Sequence, residues 1–287
     1  MDWIVNKNIL IVGLGLIGGS YAMGLKRMGF TVTAIDTNED SIEYALEKGI
    51  IDRGATYADE EIIGDADAII FGLYPTVFVK WIEENQKYFK PGVMITDVTG
   101  VKEAIVYKIQ DMLRDDVEFI AAHPMAGREV SGVRNSDDII FRGANYIVVP
   151  TEKNTENAIE WCKRLGKMLG FANIAVLSPQ EHDKMIGYVS QLTHCIAVSL
   201  MNCSNFNNVE QYTGDSFRDL TRIARINENM WSELFFMNKE TLIDEMDNFI
   251  REMTEIKTFL ENDNAEDLKQ KMRQSTERRL KFDKKKN

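Results

Sequence analysis

The chain has 287 residues, 44% of them hydrophobic and 28% charged, the makeup of a soluble globular protein with room for two domains and their cores. A formal net charge of −11 argues against a nucleic-acid surface, because phosphate binding relies on clustered lysine and arginine. No apolar run approaches the ~20 residues of a membrane helix, and Met1-Asp2-Trp3-Ile4-Val5-Asn6-Lys7 lacks the parts of a secretion signal, so no membrane is expected and the expected location is cytoplasmic.

Up to Leu177 short apolar runs alternate with amphipathic stretches, the pattern of a parallel sheet covered by helices on both faces. Strands are predicted at 8–12, 31–35, 68–73, 93–97, 119–122, 144–149 and 173–177. Helices fall between them, one over 16–28 that stops at Gly29 and another over 38–48 that stops at Gly49, where glycine can adopt the left-handed cap conformation. The period changes after Leu177. Ser178-Pro179-Gln180-Glu181 reads as a capping box with proline at the first helical position, and Met185, Val189, Leu192, Ile196 and Leu200 follow at helical spacing. Helices are also predicted over 223–236, 239–262 and 265–282. The predicted domains are 1–178, α/β, and 179–287, all-α. Cys162, Cys195 and Cys203 show no disulfide or metal spacing and read as reduced, buried thiols. The one basic cluster, Arg273, Arg278, Arg279, Lys281, Lys284, Lys285 and Lys286, suits a solvated helix end with charge that favours the helix dipole.

Gly13-Leu14-Gly15-Leu16-Ile17-Gly18 follows the first strand and opens the first helix. In that context Gly13 permits a tight turn, Gly15 lets backbone approach a pyrophosphate, Gly18 lets helix pack on strand, and the helix N-terminus offers N–H groups to an anion. Asp36 ends the second strand, placed to accept hydrogen bonds from ribose hydroxyls and to repel a 2′-phosphate. Together these form a Rossmann-type dinucleotide fingerprint. FAD shares it, but no further flavin-binding element is visible, so NAD is the expected cofactor. Ligands in open parallel sheets lie beyond the strands' carboxyl ends. The expected contacts are therefore residues 13–18, Asp36, Tyr74-Pro75-Thr76, Asp97-Val98-Thr99-Gly100 and His123-Pro124-Met125.

The three histidines differ in context. His123 ends a predicted strand at the sheet's carboxyl edge and suits a general base, since imidazole titrates near neutral pH. His182, in the first turn after the capping box and next to Asp183, reads as a surface or interdomain polar residue. His194, between Leu192 and Ile196, reads as a buried, satisfied histidine or a ligand contact. No HExxH, GxSxG or other metal or nucleophile arrangement occurs, and no metal is expected.

At His123-Pro124-Met125-Ala126-Gly127-Arg128-Glu129-Val130-Ser131-Gly132 the sequence resembles the prephenate/arogenate dehydrogenase family, whose strand-end motif carries a catalytic histidine. The likeness includes the glycine turn, Asp97-Val98-Thr99-Gly100-Val101-Lys102, Phe141-Arg142-Gly143-Ala144, Ser178-Pro179 with His182-Asp183, Ser190-Gln191-Leu192-Thr193-His194, Phe217-Arg218-Asp219-Leu220-Thr221-Arg222-Ile223-Ala224 and Trp231. The resemblance implies a Rossmann-type NAD domain followed by an all-α domain that forms a homodimer, with substrate and NAD meeting in the cleft between them. It implies NAD-dependent oxidative decarboxylation of prephenate or arogenate in tyrosine biosynthesis, with His123 accepting from the ring hydroxyl. By the same likeness Arg222 binds a substrate carboxylate, His194 reaches the substrate side chain, Glu129 pairs with an arginine across the cleft, and Trp231 walls the pocket or fills a core.

Two departures stand out. Many relatives carry serine where this chain has Gly100, which leaves Thr99 or a water to supply that hydroxyl; where some have a second histidine, this chain has Gln191. No length remains after the helical half for an ACT domain or a fused chorismate mutase, so any tyrosine inhibition is expected to be competitive. The rival readings are a β-hydroxyacid dehydrogenase or imine reductase, with Lys184 as catalytic candidate and no role for the HPMAG segment, and a dinucleotide sensor without turnover.

Overall fold

The computed structural model describes Trp3 and residues 7–282, which divide after Lys239 into two compact units. The first begins with β1 (Asn8–Val12), α1 (Leu16–Arg27), β2 (Thr31–Ile35), α2 (Glu39–Glu47), β3 (Arg53–Ala55), α3 (Glu60–Gly64) and β4 (Ala68–Phe71). Next come α4 (Pro75–Asn85), β5 (Met94–Asp97), α5 (Glu103–Met112) and β6 (Glu118–Phe119). These strands form a six-stranded sheet in the order β3-β2-β1-β4-β5-β6, with every neighbouring pair parallel. This is the expected Rossmann arrangement. The strand order reverses between β1 and β4, and the crevice at their carboxyl ends is where such sheets take ligands.

Burial on both faces explains why the strands read as continuous apolar runs. Ile9 and Ile11 of β1 and Ala68 and Ile70 of β4 enter one core, while Leu10, Val12, Ile69 and Phe71 enter the other. Gly29 and Gly49 end the first two helices at φ of 87° and 64°, the left-handed geometry expected of them. β3 escapes the sequence pattern because Arg53-Gly54-Ala55 is a short edge strand without an apolar period.

The predicted strand 119–122 proves to be two. Ile120 N–H still donates to Ile95 O at 3.0 Å, but β5 ends at Asp97 and no strand backbone continues alongside. The chain therefore passes into a second sheet, where β7 (Ala121–Met125) pairs antiparallel with β8 (Asn145–Val149). From β8, α6 (Glu156–Leu169) leads to a parallel β9 (Asn173–Val176).

After β9 the chain is helical, as expected. α7 (Pro179–Ile186) starts with the predicted capping box: Ser178 Oγ accepts from Glu181 N–H, and a Glu181 carboxylate oxygen accepts from Ser178 N–H at 2.9 Å. The long helix is interrupted by a π-helical turn at Gly187–Leu192 before α8 (Thr193–Asn202). Short α9 (Asp215–Thr221) and a 3₁₀ turn at Arg222–Ala224 precede α10 (Glu228–Met237). The predicted helix 223–236 thus starts late, because Asn227 Oδ1 accepts from Met230 N–H at 3.1 Å and caps the new helix there.

α11 (Lys239–Glu261) and α12 (Ala265–Leu280) supply the second unit, within which Lys271 pairs with Glu252 at 2.8 Å and with Glu255. Arg273, Arg278, Arg279 and Lys281 are exposed around the end of α12; Lys284, Lys285 and Lys286 lie outside the described residues, as do most of the first six. Only Cys162 is a buried thiol, pushed up to about 12 by that burial, whereas Cys195 is half-buried and Cys203 exposed near the end of α8. Among the described residues no helix is long and apolar enough to cross a membrane, and no group of three His, Cys, Asp or Glu side chains is placed to hold a metal ion.

Candidate active site

The glycine turn shows three different requirements. Gly13 has φ of 97°, and a Cβ there would lie 2.6 Å from Gly72 O. A Cβ on Gly18 would lie 1.9 Å from Gly13 O, so the turn and the helix can close only on glycine. At Gly15, by contrast, nothing stands within 4 Å of where a Cβ would be. The fold does not need a glycine at that point, but a ligand approaching the backbone would. No side chain caps the start of α1 and its first turn carries no acid, which leaves its leading N–H groups for an anion. Asp36 Oδ2 accepts from Leu14 N–H at 2.6 Å and Oδ1 from Asn38 N–H at 2.8 Å, pinning the turn to the end of β2. The side chains of Leu14 and Leu16 are buried and Ile17 packs against the core, so these three offer backbone rather than side chain to the turn's outer face.

Tyr74 stands at the N-cap of α4, 43% exposed, and its hydroxyl accepts from Asn227 Nδ2 at 3.2 Å. Glu233 of α10 accepts from Thr76 N–H at 2.6 Å, so α10 lies against the carboxyl ends of β4 and β5. There it meets Gly100, where an added Cβ would be 3.3 Å from Leu234 Cδ1. Leu234 would have to give by a few tenths of an ångström to admit a side chain at position 100. Thr99 does not turn its hydroxyl outward to compensate: Oγ1 donates within the buried interior to Asp97 Oδ2.

His123, half-buried on β7, is joined to two residues that the sequence reading left outside the site. Its Nδ1 lies 2.9 Å from His182 Nε2, and His182 Nδ1 lies 2.7 Å from Asp183 Oδ1. His182 is fully buried, which corrects the surface alternative of its reading as a surface or interdomain polar residue; the face of α7 formed by Pro179, His182, Asp183 and Ile186 turns inward and carries it there. Asp183 Oδ1 and Oδ2 also accept from the N–H groups of Lys102 and Glu103, at 2.8 and 2.9 Å. A carboxylate filled with donors fixes the tautomers. Asp183 accepts from His182 Nδ1–H, His182 Nε2 accepts from His123 Nδ1–H, and the lone pair of neutral His123 is left on Nε2. Burial, then the electrostatic fields of His182 and of the Lys102 ammonium, hold His123 well below its ordinary 6.5, so the imidazole stays neutral and ready to accept.

Behind it lies a buried ion pair. Lys102 Nζ donates to Asp97 Oδ2 at 2.6 Å, to Thr99 Oγ1 at 3.1 Å and to Ala122 O at 2.6 Å, while Asp97 Oδ1 accepts from Ala122 N–H at 3.1 Å. All three ammonium protons are used, which is what a buried lysine requires.

The predicted substrate residues also come together. Arg222, just past α9, forms an ion pair with Glu129 from the segment after β7. His194 of α8 stacks on Trp231 of α10 with ring centroids 3.7 Å apart and an interplanar angle of 30°, and its Nδ1 donates to Ser190 O at 2.8 Å. Burial lowers the His194 pKa, and the fields of Glu129 and Arg222 reach it with opposite signs. Gln191 faces inward from the π turn, donating to Leu234 O and accepting from Asn238 Nδ2, which also donates to Asp183 O at 2.9 Å. Position 191 therefore braces α10 and the His182–Asp183 pair.

Residues 21–175 match the family model of the prephenate dehydrogenase nucleotide-binding domain, and residues 178–274 match that of the prephenate dehydrogenase dimerization domain. The chain belongs to the prephenate dehydrogenase family. It is 32% identical to prephenate dehydrogenase of Bacillus subtilis (strain 168) over 92% of this chain and 73% of that one. It is 26% identical to cyclohexadienyl dehydrogenase of Zymomonas mobilis over 96% of each. The crystal structure of Aquifex aeolicus prephenate dehydrogenase in complex with hydroxyphenyl propionate and NAD+ superposes with a TM-score of 0.90 at 29% identity, covering 98% of this chain and 100% of that one.

Membership of the prephenate dehydrogenase family makes the rival reading through Lys184 the less supported one. Lys184 is exposed, whereas His182 and Asp183 on the same helix are buried.

Proposed function

We propose that this chain oxidises prephenate, with NAD as hydride acceptor, and releases carbon dioxide and 4-hydroxyphenylpyruvate; arogenate, giving tyrosine, is the alternative substrate of the same chemistry. The observation that carries the reading is the His123–His182–Asp183 chain, which leaves His123 Nε2 as a hydrogen-bond acceptor. The residues that would hold NAD fit it: the open position at Gly15, the uncapped start of α1, Asp36 for the ribose hydroxyls, and Tyr74 and the backbone at Thr99 along the same strand ends. NAD, when bound there, accepts the hydride from the ring carbon that bears the hydroxyl.

The protein's own groups do the rest. His123 Nε2 takes the hydroxyl proton as that carbon is oxidised, and the imidazolium keeps its Nδ1–H on His182, backed by the Asp183 carboxylate. Loss of carbon dioxide from the resulting dienone leaves an aromatic oxyanion, which recovers the proton, so His123 ends neutral. Aromatisation makes the reaction downhill, and the task of the site is placement. Arg222 exchanges Glu129 for a substrate carboxylate, His194 reaches the substrate side chain, and Trp231 forms the wall on which His194 rests.

In this reading residues 1–178 bind NAD, residues 179–287 bind substrate and associate as a homodimer, and no nucleic acid or membrane takes part. The test is NADH formation from NAD with prephenate, arogenate and a panel of 3-hydroxy acids. Turnover confined to the cyclohexadienyl acids supports the proposal, and turnover of 3-hydroxy acids in their place overturns it.

A further inference from the structure

β5 runs out at Asp97, yet the backbone of Ala122, one residue before His123, is not left without partners on that side. Ala122 pairs with Val148 of β8 on its other edge, and the N–H and C=O that face β5 go to side chains: Asp97 Oδ1 accepts from the N–H, and Lys102 Nζ donates to the carbonyl. A strand neighbour would offer one acceptor and one donor in those places. The Asp97–Lys102 pair supplies the same two functions from side chains.

We propose that Asp97 and Lys102 are positioning residues for His123, a buried ion pair that takes the place of a missing strand, holds the backbone from which the imidazole projects, and sets the charge around it. The proposal rests on His123 as the base. Burying an ion pair costs desolvation that a pair of apolar residues would avoid, and a pair retained for strength alone would be a poor choice. Here each partner instead grips one backbone group of the same residue. Lys102 also reaches the other side of the imidazole chain, because its own N–H donates to Asp183 Oδ1.

The charges have a direction. Among the described residues, the titratable groups that face His123 are His182 with Asp183 behind it on α7, and Lys102 with Asp97 behind it at the β5–α5 turn; β8 presents Ile147. The Lys102 ammonium opposes a positive charge on His123, and the two carboxylates favour one. Removing Lys102 then moves the His123 titration up, and removing Asp97 moves it down as long as the Lys102 ammonium keeps its charge. A role confined to stability gives no such opposition.

The experiment measures kcat, kcat/KM against pH, NAD affinity and melting temperature for the wild type, Lys102→Met, Asp97→Asn and His123→Asn. For Lys102→Met the expected result is a kcat lowered at least about tenfold, NAD affinity within about twofold, and the acid limb of kcat/KM moved to higher pH. For Asp97→Asn, an isostere that keeps the shape of the turn, kcat falls and the acid limb moves to lower pH. The proposal is overturned if either variant keeps wild-type kcat and an unmoved limb, or if both limbs move the same way. It is also overturned if kcat falls only in step with NAD affinity and melting temperature while the limb stays in place. Should Lys102→Met not fold, the decision passes to Asp97→Asn alone, where an unmoved limb refutes the proposal. Retention of activity by His123→Asn would instead strike the base assignment, so the two failures are separable.

Discussion

At His123 the hydrogen bonds all run one way, from imidazole to imidazole to carboxylate, and that direction has a thermodynamic consequence. All three histidines of the chain, His123, His182 and His194, are held below their ordinary 6.5, each first by burial. The unfolded chain therefore binds more protons than the folded one once pH falls through about 6.5. The histidine contribution to stability is complete above that pH and is lost progressively below it, down to the folded values. Melting temperature measured from about pH 7.5 to about pH 5.5 should fall from 6.5 downward, and a flat profile would contradict these burials. The same sign keeps the base neutral in mildly acidic solution. His123 was legible as a strand-end histidine because its signal is local. His182 was not, because its burial depends on α7 packing against β7, 59 residues away in sequence. A usable signal did exist: His182 and Asp183 occupy the helical period of Pro179 and Ile186, the inward face of α7. Lys102 gave no such sign, since its partners Asp97 and Ala122 meet only through the end of β5.

Among the elements, the β1–α1 turn separates the demands of folding from those of binding. Gly18→Ala would set a methyl 1.9 Å from Gly13 O, where no side chain can yield, and should destabilise by at least the ~1–3 kcal/mol typical of overpacking. Gly15→Ala meets nothing within 4 Å and should melt near the wild type while binding NAD at least about tenfold more weakly. Calorimetry on both variants checks the pair, and equal losses of stability would refute the assignment of Gly15 to the ligand. Strands β1 and β2 were readable to the residue because buried parallel strands are continuous apolar runs. The split at Ile120 was not, because an unbroken apolar run does not say where its partner strand ends. The π turn was hidden too: Thr193 Oγ1 and His194 Nδ1 both bond to Ser190 O, and the apolar period continues through it.

For the whole molecule, the α/β half followed by helices was written in the change of period after Leu177, whereas the association of chains was available only through resemblance. Phe206, Tyr212 and Phe236 are 79%, 82% and 76% exposed in the first unit, and Ile250, Met253 and Met272 are exposed in the second. Each unit by itself thus leaves large apolar side chains open to water, and covering such surface between chains is what the proposed homodimer would do. Sedimentation velocity at micromolar concentration should show a species of two chains, and a monomer throughout would contradict that proposal. The role of His123 as base is tested by the rate of NADH formation from NAD and prephenate by the wild type and by His123→Asn, with NAD affinity measured alongside. The expected result is a kcat about 10²–10⁴-fold lower in the variant with NAD affinity within about twofold. A variant that turns over prephenate at the wild-type rate would contradict it.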